Sequence, residues 1–403
     1  MNEREWRRLL NFKMPSKYDK TIHFAMLILV LFGTIMLMSV NTKDAAIDTY
    51  VVVKTIIRQV GFFGIGYILL LIVSKIFTLQ RARKYIMFFV VGCIGLILSC
   101  FFFNTDYGIK AWIPINILGL SFTIQPSEFA KIILIVYIAL CFGSVSNRIK
   151  YTPGDIFTGP MCICGVYMFL ILQQDDFGTL AILCFSIAMM CLLLNHPLFA
   201  RFRLSVQTTC IIVIVLACFF SFSPLGLSIL EAVANGRGTK IVERVQAAQN
   251  PFADSLNVGY QLIQGLIAFF NGGWLGVGLG NSARKYGYLP TSSTDSILPI
   301  VVEETGVLGF MLIAVCYFVI IYRLFSYARK VNNIPSKMIL VGIGSYFFIH
   351  FLLNVGGVTA LIPFTGVPLL FISNGGSSFL TAMISIGIAQ SIISNHNREI
   401  SNK

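Results

Sequence analysis

Apolar runs of roughly 18–22 residues recur along the whole chain, the length an α-helix needs to cross about 30 Å of hydrocarbon. Hydrocarbon offers no partner to backbone N–H and C=O groups, so such runs must close their own hydrogen bonds as helices. A soluble chain of 403 residues would divide into two or more domains. Here the mean hydropathy of +0.81 and the 56% of hydrophobic residues point to an all-α polytopic membrane protein instead.

Ten spans are expected, near 22–40, 60–78, 85–103, 125–145, 157–172, 177–195, 205–223, 298–321, 338–353 and 374–393. An even number puts both termini on one side. With the amino terminus inside, twenty of the thirty Lys and Arg residues fall in short inner segments (1–21, 74–84, 146–156, 196–204, 322–337 and 394–403), as the positive-inside rule requires. The reading is a cytoplasmic segment 1–21, a transmembrane domain 22–393 and a cytoplasmic tail 394–403, with outer loops at 41–59, 104–124, 173–176, 224–297 and 354–373. Residues 1–20 are polar and basic, and the first run, His23 to Val40, is long enough to stay as a span, so no cleavable signal is expected.

The formal charge of +13 is spread in small basic clusters between apolar runs, such as Arg81, Arg83 and Lys84, or Arg323, Arg329 and Lys330. That placement argues against a nucleic-acid partner. All ten cysteines lie in apolar runs, where a thiol is a small hydrophobe, so no disulfide framework is expected. The four histidines are scattered and give no zinc spacing.

The segment 224–297 is too long for an ordinary connection and too apolar to be unstructured. Gly259 to Phe270 reads as a helix lying on or dipping into the outer leaflet. Near its end stands Asp295, a carboxylate at a membrane surface that must be solvated or paired. The fourth span opens Gln125-Pro126-Ser127-Glu128, with Pro126 suited to a first turn and Glu128 and Lys131 three apart on one face. They read as an ion pair, a polar floor for a substrate cavity, or both. The run Gly272 to Gly280 lacks the Lys-Ser/Thr of a P-loop. It reads as tight turns and close backbone packing, with amide binding of a pyrophosphate as the alternative. Phe364 to Ser378 is Gly- and Pro-rich at membrane depth, which survives only beside protein or a water-filled cavity.

These elements resemble, in order, the SEDS proteins (shape, elongation, division and sporulation), the RodA/FtsW/SpoVE family, from about residue 20 to 393. The ordered set is Lys110 to Trp112, Gln125 to Glu128 with Lys131, Gln174 to Thr179, Gly272 to Gly280, Thr294-Asp295, Glu303-Glu304-Thr305-Gly306 and Ile372 to Ser378. The stretch Gly276 to Ser282, with Lys285-Tyr286 and Tyr288 to Pro290, looks more like the FtsW branch. The resemblance implies an inverting peptidoglycan glycosyltransferase that polymerises lipid II on the outer face of a bacterial plasma membrane, in division or shape maintenance. It implies as partners a class B penicillin-binding protein and other divisome or elongasome membrane proteins. The family's essential aspartate falls on Asp295, and its Glu and Lys of the fourth span on Glu128 and Lys131. The chain departs from the pattern beside Asp295, reading Pro290-Thr291-Ser292-Ser293-Thr294 where a Glu and a His are usual, and carries Asn374 where Tyr is usual.

In such a reaction a sugar hydroxyl attacks an anomeric carbon bearing a lipid pyrophosphate. Asp295 is the candidate base. Lys131, Lys110 and Arg244 are candidates to stabilise charge on the pyrophosphate, and Ser377 to bind substrate. A divalent cation suits pyrophosphate chemistry, but no ligand set is visible. Two other readings stay open: a lipid II flippase, which would need charged groups reachable from both faces, and a non-catalytic scaffold for a penicillin-binding protein.

Overall fold

The computed structural model describes residues 13–45, 49–103, 110–117, 120–145, 153–194, 199–234, 239–253, 258–289 and 291–402. The first seven helices are α1 (Lys20–Ala45), α2 (Thr49–Ile76), α3 (Leu79–Ser99), α4 (Pro126–Val145), α5 (Pro153–Leu172), α6 (Phe177–Leu192) and α7 (Ala200–Phe222). Three shorter helices follow, α8 (Pro224–Ala234), α9 (Thr239–Gln249) and α10 (Val258–Gly272). Then come α11 (Ile297–Lys330), α12 (Ile334–Val358) and α13 (Gly376–Ser401). Among the described residues eight helices are long and apolar enough to cross a membrane, and α5 and α6 supply two shorter apolar ones. Each of the ten expected spans falls on one of these helices.

Burial ranks the helices. The most apolar windows of α4 and α13 are 83% buried and that of α12 is 72% buried, whereas none of α7 is. The first three form the centre, and α7 turns its apolar side chains outward. Association in lipid depends on close packing, not on water exclusion, so small residues mark the contacts. In α2 and α13 a Cβ at Gly66 would lie 2.7 Å from the Phe379 ring, and one at Gly387 would lie 2.9 Å from the Leu70 carbonyl oxygen.

The two chain ends meet at one end of the bundle. Asp19 exchanges two hydrogen bonds with the Gln390 side chain, each 2.9 Å, and accepts from Arg323 Nε at 2.9 Å. Ser394 donates to the Ser16 carbonyl at 2.7 Å.

Two expected loops are structured. Residues 41–59 contain no Gly or Pro, and α1 runs on to Ala45 while α2 begins at Thr49. The loop 104–124 carries a hairpin, β1 (Ile113–Ile117) against β2 (Leu120–Ile124), with Ile113 opposite Ile124. Its alternating Ile-Pro-Ile-Asn-Ile and Leu-Ser-Phe-Thr-Ile patterns have the period of strands; length and polarity had suggested only a loop.

Helix α11 is broken. Gly306 has φ 69° and ψ −170°, a conformation essentially confined to glycine. The freed backbone groups find partners in the glycine-dense run. Val277 N donates to the Glu303 carbonyl at 2.9 Å, Gly278 N to the Glu304 carbonyl at 3.0 Å, and Val307 N to the Gly273 carbonyl at 3.0 Å. A Cβ at Gly276 would stand 2.2 Å from the Glu304 carbonyl oxygen. Close backbone packing is therefore what the glycines at these positions provide.

Candidate functional site

The first turn of α4 supplies the floor of the site. Lys131 Nζ donates to Glu128 Oε1 at 2.8 Å, and both residues are almost wholly buried. Two charges withdrawn from water cost several kcal/mol each, so their pairing is what makes the position tenable. Lys131 Nζ also lies 3.3 Å from His350 Nε2. This contact is a hydrogen bond in the tautomer that carries the ring proton on Nδ1. The Tyr346 ring stands 6.0 Å from the ammonium, at the reach of a cation–π contact. Glu128 Oε2 is buried and has no hydrogen-bond partner among the described residues.

Asp295 lies just before α11, and the loop between α12 and α13 covers it. The Asn354 side-chain amide donates to the Asp295 carbonyl at 3.0 Å and to the Val367 carbonyl at 2.8 Å. Asn374 N donates to the Ser293 carbonyl at 2.8 Å. Gly366 has φ 71°, and a Cβ there would come within 3.4 Å of Asp295 Oδ2, so a glycine lets this loop lie against the carboxylate. Burial pushes the Asp295 carboxyl up to about 7; Arg244 on α9 opposes the rise and Asp176 adds to it. Burial lowers the Arg244 guanidinium in turn, while the charges of Asp295 and Asp176 support it.

Asp176 joins the walls. It caps α6, its Oδ1 accepting from Thr179 N at 3.0 Å, and its Oδ2 accepts from Gln125 Nε2 at 2.7 Å. Gln125 N donates in turn to Ser377 Oγ, in the first turn of α13, at 2.9 Å. Three segments far apart in sequence are thus hydrogen-bonded into one wall.

These residues enclose a cavity of about 440 Å³ lined by Glu128, Lys131, Asp176, Arg244, Asp295 and Ser377, together with Trp112. That is within the size range of small-molecule sites. Five of the six residues expected from sequence come together here. Lys110 does not: it is exposed and outside the lining, and its neighbours Ala111 and Trp112 take that place. Among the described residues no three acidic, His or Cys side chains gather as a cation site, and no step below is routed through one.

Asp176 enters the sequence reading only within Gln174 to Thr179, with no role of its own, and His350 and Asn354 do not enter it. His350 lies in the expected span 338–353 and Asn354 just past its end; α12 runs on to Val358, which puts the two one turn apart on one helix face. The signal present in the sequence was His350, inside that span, and it pointed into the bundle.

A second buried polar cluster lies outside that cavity. Lys285 Nζ lies 3.4 Å from Glu304 Oε1 and donates to the Gly280 carbonyl at 2.6 Å. Ser39 Oγ donates to Glu304 Oε2 at 2.6 Å, and Glu303 accepts from Asn271 at 3.3 Å and from Ser282. Loop 273–289 is thereby bound to α1 and α11.

Residues 19–399 match the FtsW/RodA/SpoVE family model, described as a cell cycle protein. The chain is 30% identical to the probable peptidoglycan glycosyltransferase FtsW of Lactococcus lactis, over 96% of this chain and 95% of that one. It is 31% identical to the protein of the same name from Bacillus subtilis, over 94% and 91%. Among solved structures it is similar to a chain described under "Structural coordination of polymerization and crosslinking by a peptidoglycan synthase complex", with TM-score 0.68, 20% identity and coverage of 94% and 99%. It is also similar to the rod shape determining protein RodA of Thermus thermophilus, with TM-score 0.62, 17% identity and coverage of 94% and 98%. The chain belongs to the FtsW/RodA/SpoVE family.

Proposed function

We propose, from membership of this family and from the site it encloses, that the chain is a peptidoglycan glycosyltransferase that polymerises lipid II. The observation that carries the assignment of roles is one cavity holding Asp295, Arg244 and the Glu128–Lys131 pair. A carboxylate whose ionisation lies near 7 is matched to proton abstraction at neutral pH. Asp295 takes the proton of the acceptor hydroxyl as its oxygen bonds to the anomeric carbon. The bond from that carbon to the lipid pyrophosphate breaks, and its electron pair leaves on the pyrophosphate oxygen. Displacement from the opposite face inverts the centre, giving a β-linked glycan from an α-linked donor. Lys131 and Arg244 are cations in a poorly solvated space, where they stabilise the leaving pyrophosphate more than they would in water. Ser377 and Gln125 hold the wall against which the donor lies.

The outer face of a bacterial plasma membrane is the place for this chemistry, with both termini cytoplasmic and 224–297 outside. A class B penicillin-binding protein is the proposed partner. Purified protein, with and without that partner, is to be incubated with lipid II and assayed for glycan chains. Polymer from the wild type and none from Asp295→Asn is the expected result. Lipid II translocation into vesicles without polymer would favour a flippase, and the absence of both would favour a scaffold.

A further inference from the structure

A second cavity, of about 850 Å³, opens at the other end of α11 from Asp295, where α3 and α12 begin and α13 ends. It shares no residue with the site above. Arg83 and Lys84 line it, with Glu399 as its one carboxylate. Two cations thus stand against one carboxylate among the lining residues. Its other polar residues include amide donors, Gln80 and Asn395 among them, and His396, whose Nε2 is buried with no hydrogen-bond partner among the described residues. Helix ends of both signs meet there, the amino ends of α3 and α12 and the carboxyl ends of α2, α11 and α13, so the helix dipoles largely offset one another and the side chains set the charge preference.

One wall is apolar, formed by Phe77, Leu79 and Ile392. Lys84 shares its face of α3 with Phe88 and Val91, four and seven residues further on, and these are 76% and 63% exposed, so an exposed apolar strip runs on from the cation. A soluble anion would use the cations and leave the strip idle. A molecule with a phosphate at one end and hydrocarbon at the other would use both. Basic pockets between helix ends at a membrane surface have the chemistry to hold anionic lipid headgroups.

We propose that this cavity binds the headgroup of an anionic glycerophospholipid, its phosphate beside Arg83 and Lys84 and its acyl chains along the exposed face of α3. The proposal is independent of the glycosyltransferase reading, because it is tested by binding and not by turnover. The full-length protein in neutral detergent is titrated separately with phosphatidylglycerol, phosphatidylcholine and sn-glycerol 3-phosphate, and bound molecules are counted by native mass spectrometry. Phosphatidylglycerol is expected to bind in preference to phosphatidylcholine. Affinity should fall about fivefold for Arg83→Ala and about thirtyfold for Arg83→Ala/Lys84→Ala, from roughly 1 kcal/mol for each basic residue. Glu399→Gln should raise affinity about fivefold, a gain that misfolding cannot mimic. Arg201→Ala/Arg203→Ala, a basic pair at the start of α7 outside this cavity, should leave the tight site intact. Equal binding of the two lipids, or affinity unmoved by the Arg83, Lys84 and Glu399 variants, overturns the proposal. Binding of sn-glycerol 3-phosphate as tightly as phosphatidylglycerol overturns its lipid half and leaves a soluble phosphate site.

Discussion

The side-chain amide of Asn354 ties the Asp295 carbonyl to the Val367 carbonyl, at 3.0 and 2.8 Å. One polar residue of α12 thus holds both loops that enclose the candidate base. Asn354→Leu keeps the bulk and removes both donors, leaving two carbonyls unsatisfied at about 1–3 kcal/mol each. Turnover should fall on the order of 100-fold, as for a shift of about 1 Å in a reacting group. The acid limb of the pH–rate profile should also move below 7, because a loosened roof hydrates Asp295. A fall in turnover with an unmoved profile would reduce Asn354 to a general packing role.

Asp295→Asn keeps the size and cannot take the proton. Polymerisation should drop by about 10²–10⁴-fold, with membrane insertion unchanged. The same variant should be more stable than wild type at neutral to alkaline pH. The folded carboxyl titrates near 7 and the unfolded one near 3.9, so the folded state binds more protons between these values. Wild-type stability is therefore lost as pH rises from about 4 to about 7. Thermal melts at pH 5 and pH 8 should show the Asn variant's advantage growing with pH; a constant difference would deny the raised ionisation.

Arg244 is the cation that restrains that rise. Arg244→Ala should move the acid limb of the pH–rate profile to higher pH and weaken donor binding, whereas Arg244→Lys should retain much of the electrostatic effect. Initial rates across pH 5 to 9 decide this, and a limb that stays in place in Arg244→Ala would show the two groups to be uncoupled.

Glu128 and Lys131 form a buried pair at 2.8 Å. Removing one partner strands the other, at about 3–5 kcal/mol. Glu128→Ala and Lys131→Ala should each destabilise strongly, and the double variant should cost less than their sum. Additive effects in a double-mutant cycle would mean no coupling.

Gly306→Ala should disrupt the bundle, since the residue has φ 69° and its Cβ would lie 2.2 Å from the Trp274 carbonyl oxygen. Gly92→Ala in α3, where nothing lies within 4 Å, should be neutral or stabilising by up to about 1 kcal/mol. Melting temperatures of the two detergent-solubilised variants provide the comparison; a Gly306→Ala protein as stable as wild type would refute the close packing at the break.

Hydropathy and short spacings determined much of this protein before any tertiary contact was known. An apolar run must become a helix in lipid, so the spans were legible from composition, and residues three apart on α4 must be neighbours, so the Glu128–Lys131 pair was legible too. The resemblance singled out Asp295. Tertiary structure decided the rest. Hydropathy cannot rank one apolar helix against another, so only packing shows α12 at the centre and α7 at the rim. Asp176, Arg244, Asp295 and Ser377 are separated by long stretches of chain, and no periodicity relates them. Lys110 and Trp112 are two residues apart, yet one is exposed and the other lines the cavity, because the turn before β1 directs them differently. The ionisation of Asp295 is set by the loops and charges that fold over it, and those belong to the assembled bundle, not to its neighbours in sequence.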